Sequence, residues 1–412
     1  MKFREHTLDN GLQIVAECND ASHATALGFF VAAGSRDETD AVSGVSHFLE
    51  HMVFKGTPTR SAADVNREMD EMGSEANART SEEHTIYHAT VLPEFQDRTV
   101  ELLCDLMRPS LRHEDFETER KVILEEIMMY EDDPPFRLHD KCMEVHFGTH
   151  PLARSVLGSL DSVGAMTVEQ MRGYFQQRYS PRNMVLVAAG KVDFDRLVES
   201  AEEFCGPWQA FDAPRHAPRA ERVSRFSVLQ KETATQQYTC QIANGPATED
   251  EDRYAGRLMT VIVGDDSGSR LYWDLIESGL AEYAVIGAYE LLGAGLFMTF
   301  HGASPEQTPE NLQRILDIQR EVERGGVSED ELERAKSKIC SHIVLQSERT
   351  NSRLFYVGMN WLQRREYRTT RELVAEYQKV ATADIAAVLE KYPLSTNTTV
   401  TIGPLAEVPA PS

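Results

Sequence analysis

Two stretches of this chain repeat one order of elements 215 residues apart. A helical pattern at 167–179 leads into a strand at 183–190, and the same order returns at 382–392 and 398–403. Glu114-Asp115, heading a helix that contains Glu119-Arg120, is echoed by Glu329-Asp330 ahead of Glu333-Arg334. Identity between the copies is low, but order and offset agree, and self-similarity of this kind constrains a fold more than any local propensity. It asks for two copies of one α/β unit. A chain of 412 residues has the length for two cores of about 200 residues each.

Local patterns give the class of the unit. Residues 7–16 alternate around Asn10-Gly11, a dipeptide suited to the left-handed turn of a hairpin, and 25–33 reads as a buried strand. Ser43-Gly44 introduces a helix through His47, which Gly56 and Pro58 end; a second helix starts at Ser61 as its N-cap and runs to Met72-Gly73. Strands are expected at 77–80 and 84–91, helices at 94–108 and 114–130, and Pro134-Pro135 stops the last of these. The expected fold is α+β, with two homologous units, each a mainly antiparallel sheet covered by helices. Gly206, Pro207, Pro214 and Pro218 interrupt a stretch of little periodicity. The expected division is therefore a domain at 1–205, a linker at 206–224, a second domain at 225–404 and a tail at 405–412.

Composition excludes several partners. The formal charge of −24 disfavours nucleic acid and anionic membrane surfaces. No apolar run reaches the length of a membrane span, and residues 1–6 enter the first hairpin without a hydrophobic leader, so neither a span nor a signal peptide is expected. Six cysteines stand singly, with no C-x-x-C pair. That spacing fits buried thiols in a reducing compartment, the cytoplasm, and not a disulfide framework or a thiolate metal site.

The chemistry concentrates in His47-Phe48-Leu49-Glu50-His51. On a helix of 3.6 residues per turn, Val45, Phe48, Leu49, Met52 and Val53 share an apolar stripe, while His47, Glu50 and His51 gather on the other side. Two imidazoles one turn apart can reach one tetrahedral metal ion, and the carboxylate beside them can act as a base. The second copy offers Ile262 and Asp266 at the matching offset, with no histidine. One half is chemical and the other supports it.

Two histidines leave a metal short of a ligand. On the 114–130 helix, Phe116, Val122, Ile123, Ile127, Met129 and Tyr130 define an apolar stripe with Glu126 inside it, whereas Glu125 lies about 100° around. A carboxylate in an apolar stripe needs a partner, and either a metal or a salt bridge can be that partner. Glu119 shares the bearing of Glu126 two turns earlier; it could orient a ligand histidine or simply pair with Arg120 or Lys121.

The stretch 44–57 resembles the inverted zinc motif of the pitrilysin/insulinase metallopeptidases, and length and layout resemble the mitochondrial-processing-peptidase-like branch and its bacterial relatives. In that family a glutamate follows the motif after a fixed interval, and counting 74 residues from Met52 reaches Glu126. Asn77-Ala78 with Thr80-Ser81 matches a segment that, in the family, forms a sheet edge to which extended peptides add as a strand. Ser269-Arg270-Leu271 matches a segment of the second domain, where an Arg and a Tyr seven residues apart help to hold substrate. Tyr283 occupies the Tyr position, but Ile276 stands at the Arg position.

The resemblance implies a zinc endopeptidase acting on extended or unstructured peptides. One Zn2+ per chain would be held by His47, His51 and Glu126, with Glu50 as general base, Glu119 behind the ligands, Asn77 and Ala78 binding substrate and Tyr283 assisting. Cobalt or manganese can occupy similar ligands. Dimers are expected, either homodimers or heterodimers with a paralogous subunit. Ile276 keeps two other readings open: the zinc-bearing subunit of a heterodimer whose partner supplies the Arg/Tyr pair, and a non-catalytic assembly subunit.

Overall fold

The Asn10-Gly11 turn forms as its composition requires. Gly11 has φ of 89°, in the region open to glycine, and Asn10 Oδ1 accepts the Leu12 N–H at 3.1 Å. Strands β1 (Lys2–Thr7) and β2 (Gln13–Cys18) then pair antiparallel, with Thr7 opposite Gln13. In the computed structural model, which describes residues 1–412, they begin a six-stranded sheet completed by β3 (Thr25–Val31), β4 (Glu75–Thr80), β5 (Thr85–Val91) and β6 (Met184–Gly190), in the order β1-β2-β6-β3-β5-β4. A second sheet contains β7 (Arg225–Gln230), β8 (Gln237–Gly245), β9 (Tyr283–Leu291), β10 (Ala294–Ala303) and β11 (Asn397–Gly403), in the order β7-β11-β8-β10-β9.

The two sheets share a plan. β6 runs parallel to β2 and antiparallel to β3, and β11 runs parallel to β7 and antiparallel to β8. Edges β4 and β9 correspond, and β1 is the extra strand. The α+β class and the duplication expected from the repeat are both present.

The helices of the first half are α1 (Val45–Val53), α2 (Ala62–Glu71), α3 (Gln96–Leu106), α4 (His113–Glu131), α5 (Pro134–Phe147), α6 (Leu160–Ala165), α7 (Val168–Arg178) and α8 (Phe194–Cys205). Those of the second half are α9 (Arg253–Gly264), α10 (Thr308–Gly325), α11 (Glu329–Ser347), α12 (Thr350–Arg364), α13 (Thr370–Lys379) and α14 (Thr382–Lys391). None is long and apolar enough to cross a membrane.

The compact units are not the contiguous halves 1–205 and 225–404. One unit is Met1–Met128, Arg154–His216 and Leu345–Tyr367; the other is Met129–Ala153, Ala217–Val344 and Arg368–Ser412. Two helices change sides. In the first unit α12, from the second half of the chain, lays Leu354 and Val357 on Val15, Phe30, Val185 and Val187. In the second unit α5, from the first half, lays Leu138, Cys142 and Phe147 on Cys240, Leu296, Met298 and Val400. The reason is geometric: the inward faces of strands alternate, so each sheet has two apolar faces to cover.

The stretch at 206–224 is irregular, as expected, but is not a free linker. Arg215 pairs with Asp37, Ser180 Oγ donates to the Phe211 carbonyl at 2.6 Å, and Arg178 Nη1 donates to the Pro214 carbonyl at 2.8 Å, all within the first unit. In the second unit the Ala220 N–H donates to the Gly293 carbonyl at 3.2 Å.

Candidate metal centre

Side chains alternate on β3, so Phe30 meets α12 while Phe29 meets Trp208 on the opposite face. Tyr87 lies beside Phe29 in the register and packs on Phe54, just past the end of α1. The motif helix therefore sits on the Phe29 face, near edge strand β4. Its surroundings are drier than the sequence stripe implies: Ser46 and His47 are buried along with Val45, Phe48, Leu49, Met52 and Val53.

The start of α1 is held by a residue that motif reading passed over. Gly44 precedes the helix with φ of 90°, and its Cβ position would lie 2.6 Å from the Leu157 carbonyl oxygen, so only glycine fits. Glu38, 4% exposed, accepts the N–H groups of Gly44 at 2.7 Å and Ser46 at 2.8 Å. A buried carboxyl group thus caps the first N–H groups of the helix that carries both histidines. Burial pushes Glu38 up to about 8, against the pull of those two N–H groups. No sequence spacing marks this cap, because Glu38 reaches the helix from the preceding loop.

His47, His51 and Glu126 converge, with ligand atoms all within 4.8 Å of one another. His47 Nε2 lies 3.9 Å from Glu126 Oε1, and His51 Nε2 lies 3.7 Å from Glu126 Oε2. These separations are too long for hydrogen bonds and suit three ligands around one ion at about 2.0–2.2 Å from each. Glu119, 4% exposed, accepts from His51 Nδ1 at 2.9 Å and pairs with Lys55 Nζ at 2.6 Å. It fixes the His51 ring with Nε2 turned to the cluster, the arrangement of a carboxylate behind a metal ligand. The salt bridge expected as its alternative is made with Lys55, not with Arg120 or Lys121.

Charges at the cluster fit a cation. Burial, with help from His51, lowers His47 to about 3, so this imidazole is neutral, the form that binds metal. Burial also opposes a charge on His51, but the Glu119 hydrogen bond and the charges of Glu126, Glu119 and Glu50 outweigh it and raise its pKa. Burial raises Glu126, with Glu119 adding and His51 opposing. Glu119 is lowered despite its burial, because His51 and Lys55 hold its ionised form. Three carboxylates around two imidazoles leave negative charge that a divalent ion would offset. Donor type, spacing and charge all fit Zn2+.

Glu50 stays outside the ligand set. Thr80 Oγ1, at the end of β4, donates to Glu50 Oε2 at 2.5 Å. Burial raises the Glu50 pKa against the pull of Thr80 and His51.

The register separates Asn77 from the cluster side. Ala78 and Thr80 pair with Tyr87 and Thr85, while Asn77 pairs with His88, whose ring packs on Phe355 of α12. The Asn77 side chain thus belongs to the α12 face, and its Oδ1 accepts the Ala78 N–H at 2.8 Å. Val122 and Met129, expected in the apolar stripe of α4 beside Glu126, are instead 45% and 59% exposed. The buried line of α4 is Phe116, Glu119, Ile123 and Ile127, and Glu126 borders it. Tyr283 and Ile276 belong to the second unit. Tyr283 opens β9 opposite Gly302, which leaves room for its ring, and Ile276 packs on that unit's core.

Comparison with known proteins gives a consistent result. Residues 13–160 match the family model described as insulinase (peptidase family M16), and residues 165–339 match the one described as the peptidase M16 inactive domain. An uncharacterized zinc protease of Mycobacterium tuberculosis is 34% identical over 93% of this chain and 89% of its own length. One of Bacillus subtilis is 31% identical over 92% of each. Among solved structures, a protease from Helicobacter pylori superposes with a TM-score of 0.92 at 21% identity, over 97% of this chain and 99% of its own. A peptidase M16 inactive domain from Pseudomonas fluorescens gives 0.92 at 16% identity, over 100% of both.

Proposed function

This chain belongs to the M16 (insulinase) peptidase family, and from that premise we propose that it is a zinc-dependent endopeptidase acting on extended or unstructured peptides. The observation that carries the reading is the meeting of His47, His51 and Glu126 beside a second acid, Glu50, tied to an edge strand. His47 Nε2, His51 Nε2 and a Glu126 carboxylate oxygen would hold one zinc ion, which supplies Lewis-acid activation of a water and of the peptide carbonyl.

The protein's own groups do the rest. Thr80 holds Oε2 of Glu50 through its hydroxyl, which orients the carboxylate that would take the proton of the attacking water and return it to the leaving amine. Substrate adds to β4, whose only strand partner is β5, through main-chain hydrogen bonds that tolerate varied side chains. An incoming strand displaces the Asn77 side chain from the Ala78 N–H. Burial pushes the Tyr283 phenol up to about 12, so it keeps its proton at neutral pH.

Ile276 favours a second reading. Its side chain has no donor where the family resemblance expects an arginine, and loss of one such donor costs about 100-fold or more in rate. The chain then works at full rate only beside a paralogous subunit that carries the Arg/Tyr pair. One experiment tests both readings. Metal analysis of the purified chain should find about one zinc per chain, cleavage of an unstructured peptide library should be measurable, and Glu50→Gln should abolish cleavage while keeping the metal. Absence of zinc after gentle purification would sink the enzyme reading. Zinc without cleavage, restored by a paralogue, would select the second.

A further inference from the structure

The six cysteines are scattered in sequence, but the fold brings Cys104 and Cys205 of the first unit into contact. Cys104 Sγ and Cys205 Sγ lie 3.1 Å apart, joined across 101 residues of chain. Cys104 sits in the last turn of α3 and Cys205 is the final residue of α8, so the pair bridges two packed helices of the first unit. Both are buried, at 2% and 0% exposure. Cys142 and Cys240 of the second unit also approach through their thiols, but the Cys142 thiol is shared with the carbonyls of Cys240 at 3.4 Å and Thr398 at 3.7 Å.

We propose that Cys104 and Cys205 are a disulfide site, a covalent clip between α3 and α8 that forms under oxidising conditions. The sulfurs need to approach by only about 1 Å to reach the bond length of about 2.05 Å. Two features supply a route. Cys205 occupies the C-terminal turn of its helix, where helices open first, and opening it breaks the bond from Asn10 Nδ2 to its carbonyl at 2.7 Å. Arg108 lies beside the pair, stacked 3.7 Å from the Trp208 ring centroid; its charge opposes the burial that raises the Cys104 thiol and favours a thiolate once the turn opens.

The oxidant is a small-molecule disulfide such as oxidised glutathione. The Cys205 thiolate attacks one of its sulfurs, giving a mixed disulfide and releasing one small thiolate. The Cys104 thiolate then attacks the Cys205 sulfur, the protein S–S bond forms and the second small thiolate leaves. Two protein thiols are oxidised, one small disulfide is reduced, and the two released thiolates take up the two protons. The clip closes a long loop and so restricts the unfolded chain. This inference does not rest on the peptidase reading.

The test uses the full chain, first reduced, then freed of reductant and exposed to oxidised glutathione at neutral pH. Acid quenching, alkylation and peptide mapping should yield a Cys104–Cys205 cross-linked peptide with the loss of two hydrogens, and Tm should rise by several degrees over the reduced protein. Cys205→Ser and Cys104→Ser should each erase the oxidant-dependent rise. The proposal is overturned if both cysteines stay free to alkylate, if either is found only joined to glutathione or to another cysteine, or if the rise survives in either variant. If a variant fails to fold, the wild-type map still decides.

Discussion

Thr80 is the residue whose role is sharpest once geometry is known. Its hydroxyl holds one oxygen of Glu50 from the strand to which substrate is proposed to add, so one hydrogen bond ties that edge to the proposed base. Thr80→Val keeps the shape and removes the donor. It should lower kcat about tenfold, the worth of about 1.4 kcal/mol, with KM and zinc content little changed, and Thr80→Ser should restore the rate. Loss of zinc in the valine variant, or no rescue by serine, would make Thr80 a packing residue instead.

The neighbouring acids of α4 give a paired prediction. Glu126 faces the two histidines, whereas Glu125 is exposed. Glu126→Gln should weaken zinc binding by at least about 10- to 100-fold, and Glu125→Gln should leave it unchanged; competitive chelator titration of both variants decides. Sequence phasing chose the same acid through a stripe that was partly wrong. Val122 and Met129 are exposed, whereas the count of residues from the motif reaches Glu126 without depending on which side of α4 is dry.

At the scale of elements, the exchange of α5 and α12 matters most. α12 reaches the first sheet because Gly358 lets Phe30 lie against its backbone: a Cβ there would meet the ring at 2.4 Å. Arg353 adds a buried pair with Glu17, whose Oε2 also accepts from Tyr367. Gly358→Ala gains about 1 kcal/mol of helix propensity but overpacks a rigid contact at a cost of about 1–3 kcal/mol. A net destabilisation of up to about 2 kcal/mol is expected, read as a lower urea midpoint. An unchanged or higher midpoint would mean that α12 can shift off the sheet freely. An amphipathic pattern shows that a helix covers some apolar face, and says nothing about which face, so the exchange was invisible in the sequence.

For the whole molecule, buried histidines set the response to acid. His146 on α5 and His301 on β10 are 3% and 1% exposed, and burial lowers both to about 4 from 6.5, aided at His146 by Arg225 and His150. Their native pKa lies below the unfolded one. The unfolded chain therefore binds the protons first, and the stability each gives is complete above pH 6.5 and is lost as pH falls towards 4. Each is worth about 3 kcal/mol over that range. Denaturant unfolding of metal-free protein between pH 7.5 and 4.5 should show a shallower acid slope in His146→Gln than in wild type; equal slopes would remove this histidine from the account.

By itself the sequence determined the class of fold, the duplication and the His-x-x-Glu-His motif, because each is a matter of period and spacing along one chain. Hairpin turn, strand alternation, the helical offset of His47 and His51 and the interval to Glu126 are all local or countable. Tertiary structure alone decided which sheet each of α5 and α12 covers, that Glu38 caps α1, that Asn77 belongs to the face away from the cluster, and that Cys104 meets Cys205. Those facts depend on contacts between residues distant in sequence, and such contacts are selected by packing and burial across the whole chain, which no local pattern encodes.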